Sequence, residues 1–363
     1  TDSTISISGN VTSSDRGIWS WNNGSGALSI TSTGDVTASA NDGIVAENVD
    51  WTSGSRAAST ATNVNITANN VTSYDYGISS QNYGTGSTII TATGQVTGGS
   101  GQLDQKMHSD GINALNHTTA TDLSISAVNV TGLDEGINAW NNGSGALSIN
   151  LTGDVISTST DKSDDNLSYG IGAANFGTDT VISTSGNVTS NERGIYVGND
   201  GSGSLSLTST GNVTAKGGDG INASNGNFST STATEIILTA NSATNINVTA
   251  KNVTAYDDGI HAENWGTGST TVIATGQVTG GSGQLDQNAS THGIEVSNEE
   301  TATDLSISAV NVTGIEAGIS AINGGSGLLS INATGNVVST STDKSDSFGN
   351  SVGIVAATKG TSL

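Results

Sequence analysis

The sequence contains no cysteine and no proline, and it carries 9 Lys and Arg against 32 Asp and Glu. Without cysteine there is no disulfide scaffold and no thiolate metal site. The net charge of −23 argues against nucleic acid as a partner, because phosphate binding needs clustered Lys and Arg. It also opposes adsorption to anionic membranes. No apolar run approaches the ~18 residues of a transmembrane helix. No signal peptide is visible, but the chain opens in mid-pattern and neither end carries a polar cap, so a piece of a longer protein is expected. Leu, Ile, Val and Phe make up roughly a fifth of the chain, a value that borders the disordered class. Periodicity overrides that reading, because the few apolar residues recur at fixed positions.

The organising phrase is Gly-Ile, a variable residue, a small one, another variable one, then Asn. Gly17-Ile18-Trp19-Ser20-Trp21-Asn22 is the first of twelve copies, which begin at Gly17, Gly43, Gly77, Gly111, Gly136, Gly170, Gly194, Gly220, Gly259, Gly293, Gly318 and Gly353. Every copy has Ile after Gly, and only the last lacks the closing Asn, with Thr358 instead. Recurrence at this interval marks a solenoid.

Short alternations of apolar and polar residues, such as Leu28-Ser29-Ile30, read as half-buried strands. Three short strands fit each coil. The second strand holds Val at Val11, Val36, Val71, Val96, Val130, Val155, Val188, Val213, Val253, Val278, Val312 and Val337, each preceded by Asn, Asp or Gln. Stacked coils would place like on like at about 4.8 Å per coil. A coil cannot bury its apolar face alone; its neighbours do so. The Asn that ends the third strand suits either a left-handed turn or an amide stack between coils.

Insertions follow the Val strand at 98–110, 157–169, 280–292 and 339–352, and the Gly-Ile strand at 49–63 and 226–245. In a solenoid such insertions bulge as loops and often mark a binding face. A larger repeat lies above the small one: TDLSISAVNV at 121–130 returns at 303–312. A tandem duplication of a six-coil block, 1–177 and 178–363, explains this. One continuous rod of about twelve coils is expected.

The runs Thr210-Gly211-Asn212-Val213-Thr214, Gly220-Ile221-Asn222-Ala223-Ser224-Asn225 and Gly143-Ser144-Gly145-Ala146-Leu147-Ser148-Ile149 resemble the repeats of bacterial autotransporter passenger domains, in the Gly/Asn/Thr-rich alphaproteobacterial style. The resemblance spans the chain. It implies an all-β fold, a right-handed parallel β-helix, exported by a C-terminal translocator β-barrel that is absent from this sequence. It also implies display at the bacterial cell surface, anchored to the outer membrane or secreted. Such passengers serve as adhesins, enzymes or effectors, so the fold alone selects none of these.

Few constellations point to chemistry. Arg16 and Arg193 lie beside Asp15 and Glu192 and read as solvated turn ion pairs. His108, His117, His261 and His292 show no metal-ligand spacing, and no Ser-His-Asp set stands out. Asp161, Asp164 and Asp165 offer oxygens to calcium, but a solvated acidic loop is the plainer reading. No cofactor and no metal are therefore expected. An enzyme on this scaffold would require a cleft with paired carboxylates, and no pair stands out in the sequence.

The outward positions of the third strand carry more information. Trp19, Trp21, Trp140 and Tyr196 fall there, with His261 and Glu263 in coil nine; Tyr83, Phe176 and Trp265 follow just past the Asn. Exposed aromatics suit contact with protein or glycan, although isolated surface aromatics are ordinary. The sequence thus leads to a monomeric, non-enzymatic passenger that binds a host cell-surface protein or glycan, with a glycan-active enzyme and a passive stalk as rival readings.

Overall fold

The structure, a computed structural model, describes residues 1–51, 56–102, 108–160, 168–226, 242–285, 290–342 and 351–359. Each of the six insertions contains residues outside this set, including Asp161, Asp164 and Asp165. The chain forms two compact units, Thr1–Gly186 and Asn187–Leu363. Each is a stack of parallel coils, an all-β parallel β-helix. Among the described residues no helix is long and apolar enough to cross a membrane.

In the first unit one sheet stacks the Gly-Ile strands Ile18–Asn22, Ile44–Asn48, Ile78–Asn82, Ile112–Asn116, Ile137–Asn141 and Tyr169–Asn175. Register is like on like: Ile18, Ile44, Ile78, Ile112, Ile137 and Ile171 align, and so do the closing Asn residues. The first two strand segments of each coil share a second sheet, in which Val11, Val36, Val71, Val96, Val130 and Val155 align. A coil is therefore two-sheeted. In Thr88–Thr97 and Leu123–Gly132 the two segments merge into one strand, with a register shift between Ala92 and Gln95.

The second unit repeats the plan. Ile195, Ile221, Ile260, Ile294, Ile319 and Ile354 align in one sheet. Val188, Val213, Val253, Val278, Val312 and Val337 align in the other.

Side-chain alternation decides which residues face inward. Ile78, Ile112 and Ile137 have no accessible surface, and the same holds for Val71, Val96 and Val130. Burying each such side chain contributes about 1.5–3 kcal/mol. The Gly of the phrase is required by the approach of the next coil. A Cβ on Gly77 would lie 2.4 Å from the Gly111 carbonyl oxygen and 2.6 Å from Val96 Cγ1. The same collision recurs at Gly259 with Gly293 and Val278.

The Asn ladder takes the amide-stack form. Among the described residues no non-glycine residue has a positive φ, which leaves no left-handed Asn. Instead Asn116 Nδ2 donates to Asn141 Oδ1 at 3.1 Å, and Asn141 Nδ2 to Asn175 Oδ1 at 3.0 Å. In the second unit Asn298 Nδ2 donates to Asn323 Oδ1 at 3.1 Å. Each amide also closes the following turn, as where Asn141 Oδ1 accepts from the Gly143 amide and Nδ2 donates to the Gly145 carbonyl. Buried polar groups demand such pairing, so the position tolerates little besides Asn.

Candidate functional site: an acidic cleft in the first unit

The residues that precede the Gly of the phrase form a column down the stacked coils, as where His292, Ala317 and Val352 align. In coils three to five this column holds Tyr76, Asp110 and Glu135. With His108, Asn113, Asp134 and Asn138 they line a cleft of about 210 Å³. Stacking brings these residues together from three successive coils.

The carboxylates are embedded in backbone. Asp110 Oδ1 accepts from the Glu135 amide at 3.2 Å, and Oδ2 accepts from Asn113 Nδ2 at 3.0 Å. His108 Nδ1 lies 2.7 Å from Asp134 Oδ2. Below them Gln102 Nε2 donates to Ser109 Oγ at 2.9 Å, and Ser109 Oγ donates to Asp75 Oδ1 at 3.1 Å. Glu135 Oε2 and Asn138 Oδ1 are buried and have no hydrogen-bond partner. Such atoms are expensive unless something satisfies them.

Burial sets the charge state. Asp110 is pushed up to about 7, first by desolvation and then by the negative charge of Asp134. Glu135 is raised well above the ordinary glutamate value by burial and then by Asp110. Burial and the same carboxylates raise the phenol of Tyr76. The cleft therefore holds a carboxyl group, Asp110, that is partly protonated near neutral pH, where it can both donate and accept hydrogen bonds.

An aromatic platform borders the cleft. Asn138 and Trp140 alternate outward on Ile137–Asn141, and Trp140 is 45 % exposed. Phe176 lies beside it with ring centroids 6.4 Å apart and planes inclined by 23°. Trp19 and Trp21 are 49 % and 50 % exposed, with centroids 5.1 Å apart. Tyr83 does not stand free: it stacks on His117 at 3.4 Å. Tyr196 and Trp265 are half-buried on the second unit, and the Arg193 guanidinium sits 5.8 Å from the Tyr196 ring centroid. The sequence aromatics thus divide between the two units.

One ion-pair expectation is corrected. Arg16 does not pair with Asp15; its Nε reaches Asp42 Oδ2 in the next coil at 3.3 Å, and the guanidinium lies 4.9 Å from the Trp19 ring centroid. Coil stacking brings Asp42 within reach, and the aromatic face offers a further cation contact. Sequence reasoning also passed over Asp110, Asp134 and Glu135 as a cluster, and Trp51, which is 37 % exposed and faces the Arg56 guanidinium at 5.2 Å. The available signal was the column before Gly, read down the coils: Arg16, Asp42, Tyr76, Asp110, Glu135 and Tyr169.

The fold and this cleft define a parallel β-solenoid that presents polar and aromatic groups on its Gly-Ile face. No family model, no curated protein and no solved structure matches the chain.

Proposed function

We propose that the chain is a non-enzymatic recognition solenoid that binds a host cell-surface glycan, displayed on or released from a bacterial surface as an autotransporter passenger. The observation that carries the reading is the cleft of Asp110, Asn113, Glu135 and Asn138 next to exposed Trp140. Sugar hydroxyls need groups that donate and accept at close spacing, and a pyranose ring stacks on an aromatic face. Amides, a partly protonated carboxyl and Trp140 supply both. The likeness of the repeats to passenger domains supports the surface location and the translocator partner. A glycan array with the full chain tests the proposal. Retention of a defined set of glycans, weakened by Trp140→Ala and by Asn138→Ala, is expected. Equal retention by both variants would move recognition away from this cleft.

A second reading has an observation of its own. A carboxyl that keeps its proton near pH 7 beside other carboxylates has the character of a general acid, and Asp110 is pushed up to about 7. A glycan-active enzyme would release reducing ends from bound oligosaccharides and lose that activity in Asp110→Asn. Binding without product formation favours the recognition protein.

A further inference from the structure

In the second unit the same face gathers a different set of groups. Asp258 occupies the column before Gly in coil nine, and His292 occupies it in coil ten. His261 and Glu263 point outward from Ile260–Asn264, and Glu295 from His292–Asn298. The register that pairs His261 with Glu295 closes the set.

The distances have a pattern. His261 Nδ1 lies 3.4 Å from Asp258 Oδ2 and 3.4 Å from Glu295 Oε2. His292 Nδ1 lies 3.3 Å from Asp258 Oδ1 and 3.5 Å from Glu295 Oε2. Charge-assisted hydrogen bonds are shorter, at about 2.7–2.9 Å. Donor atoms about 3.3–3.4 Å apart are what a tetrahedral ion with bonds of about 2.0–2.1 Å imposes on its ligands. Among the described residues, Asp258, His261 and Glu295 are the group whose ligand atoms lie within 4.8 Å of one another.

Two further observations point to an ion. The His292 side chain is 9 % exposed, and its Nδ1 has no hydrogen-bond partner although it faces the same two carboxylates. Second, His261 Nε2 lies 3.3 Å from Glu263 Oε1. A carboxylate on the far nitrogen fixes the tautomer, leaves the Nδ1 lone pair for a metal and raises its basicity. Asp258 is anchored by the His292 amide, which donates to Oδ1 at 2.6 Å, so Oδ2 remains for the ion.

We infer that Asp258, His261 and Glu295 form a binding site for a first-row divalent transition metal of the zinc class, that His292 Nδ1 stands beside it against the same two carboxylates, and that Glu263 orients His261. Imidazole nitrogen selects such ions over calcium and magnesium, which prefer oxygen alone. The site uses no residue of the acidic cleft and does not depend on the glycan reading.

The test is calorimetric titration of the chelator-stripped full chain with Zn²⁺ alone. One ion per chain with submicromolar affinity is expected, and millimolar Ca²⁺ should not displace it. His261→Ala should weaken binding about a thousandfold. Glu263→Gln should weaken it about 10–100-fold, the usual loss for a group behind a ligand. His117→Ala, on the first unit and outside the acidic cleft, should leave the Zn²⁺ affinity unaltered. Titration of the unaltered chain with Co²⁺ needs no variant, and the intense visible absorption of a four-coordinate ion is expected. Absence of saturable Zn²⁺ binding, displacement by Ca²⁺, a Co²⁺ spectrum no stronger than that of the aquo ion, or wild-type affinity in a folded His261→Ala chain would overturn the assignment.

Discussion

The acidic cleft of the first unit and the histidine cluster of the second occupy the same place in duplicated coils. Tyr76, Ser79, Asp110 and Asn113 are followed 182 residues later by Asp258, His261, His292 and Glu295. The framework around them is preserved. Thr88 Oγ1 donates to Asn116 Oδ1 at 2.6 Å, and Thr270 Oγ1 donates to Asn298 Oδ1 at the same distance. The contact between His108 and Asp134 at 2.7 Å becomes a Ser290 hydroxyl donating to Glu316 at 2.6 Å. Inward positions are held by packing, whereas each outward position can change alone.

The electrostatic outcome differs in kind. In the first unit burial and carboxylate neighbours raise Asp110 to about 7. In the second, burial also acts to raise Asp258, but the nearby His261 and His292 imidazoles and the hydrogen bond from the His292 backbone amide outweigh it and hold the carboxyl well below its ordinary value. One duplicate stores protons in its cleft, and the other stores negative charge facing two imidazoles.

The strongest way to break the comparison is to exchange the outward residues. Tyr76→Asp, Ser79→His, Asp110→His and Asn113→Glu, with Gln81→Glu behind them, should raise Zn²⁺ stoichiometry from one to two per chain. The reverse set, Asp258→Tyr, His261→Ser, His292→Asp and Glu295→Asn, should abolish binding. Calorimetry reads both, and a grafted chain that folds but gains no site would mean that the two frameworks differ where they look alike.

The framework should respond equally in the two units. Asn116→Ala and Asn298→Ala each strip a buried amide from a carbonyl and from the neighbouring Asn. Each should cost about 2–4 kcal/mol, the penalty for orphaned buried polar groups. Denaturant unfolding of the two variants checks it, and a large inequality would show that one ladder is dispensable.

A smaller effect separates the units by pH. Asp110 has an ordinary pKa of 3.8 and a folded value of about 7. A carboxyl raised on folding binds an extra proton only in the folded state, so its contribution to stability is greatest below pH 4 and is lost as the pH rises to about 7. Hydrogen exchange at Ile112–Asn116 should therefore quicken between pH 4 and 7, after correction for intrinsic exchange, and Asp110→Asn should remove most of that change. An unchanged profile in the variant would show that Asp110 is ionised throughout. The smallest effect expected is on recognition: Trp140→Ala should weaken glycan binding about tenfold, near the value of one aromatic contact. Ile322→Ala, at the equivalent position of the second unit, should leave it unaltered.

How much of this was legible in the sequence follows from the same division. The coil and its Val and Ile ladders declare themselves because identical residues must stack on one another; the Asn column was visible too, but the choice between a left-handed turn and an amide stack came only from the structure. The two sites do not. His261 and His292 are 31 positions apart and meet only because coils nine and ten stack. Asp110 and Glu135 are joined in the same way, and the insertion at 98–110 hides the column they share. The aromatic residues were visible one by one, but the pairing of Trp140 with Phe176, and of Tyr83 with His117, depends on which coil each follows.

The central claim is that recognition belongs to the first unit's cleft and is independent of the second unit's metal. Glycan-array binding by the chelator-stripped full chain, run beside the Trp140→Ala variant, tests it most directly. The account predicts that the stripped chain keeps its glycans and that the variant loses most of that signal. Binding that vanishes on stripping and returns with Zn²⁺, while Trp140→Ala binds like the unaltered chain, would contradict it.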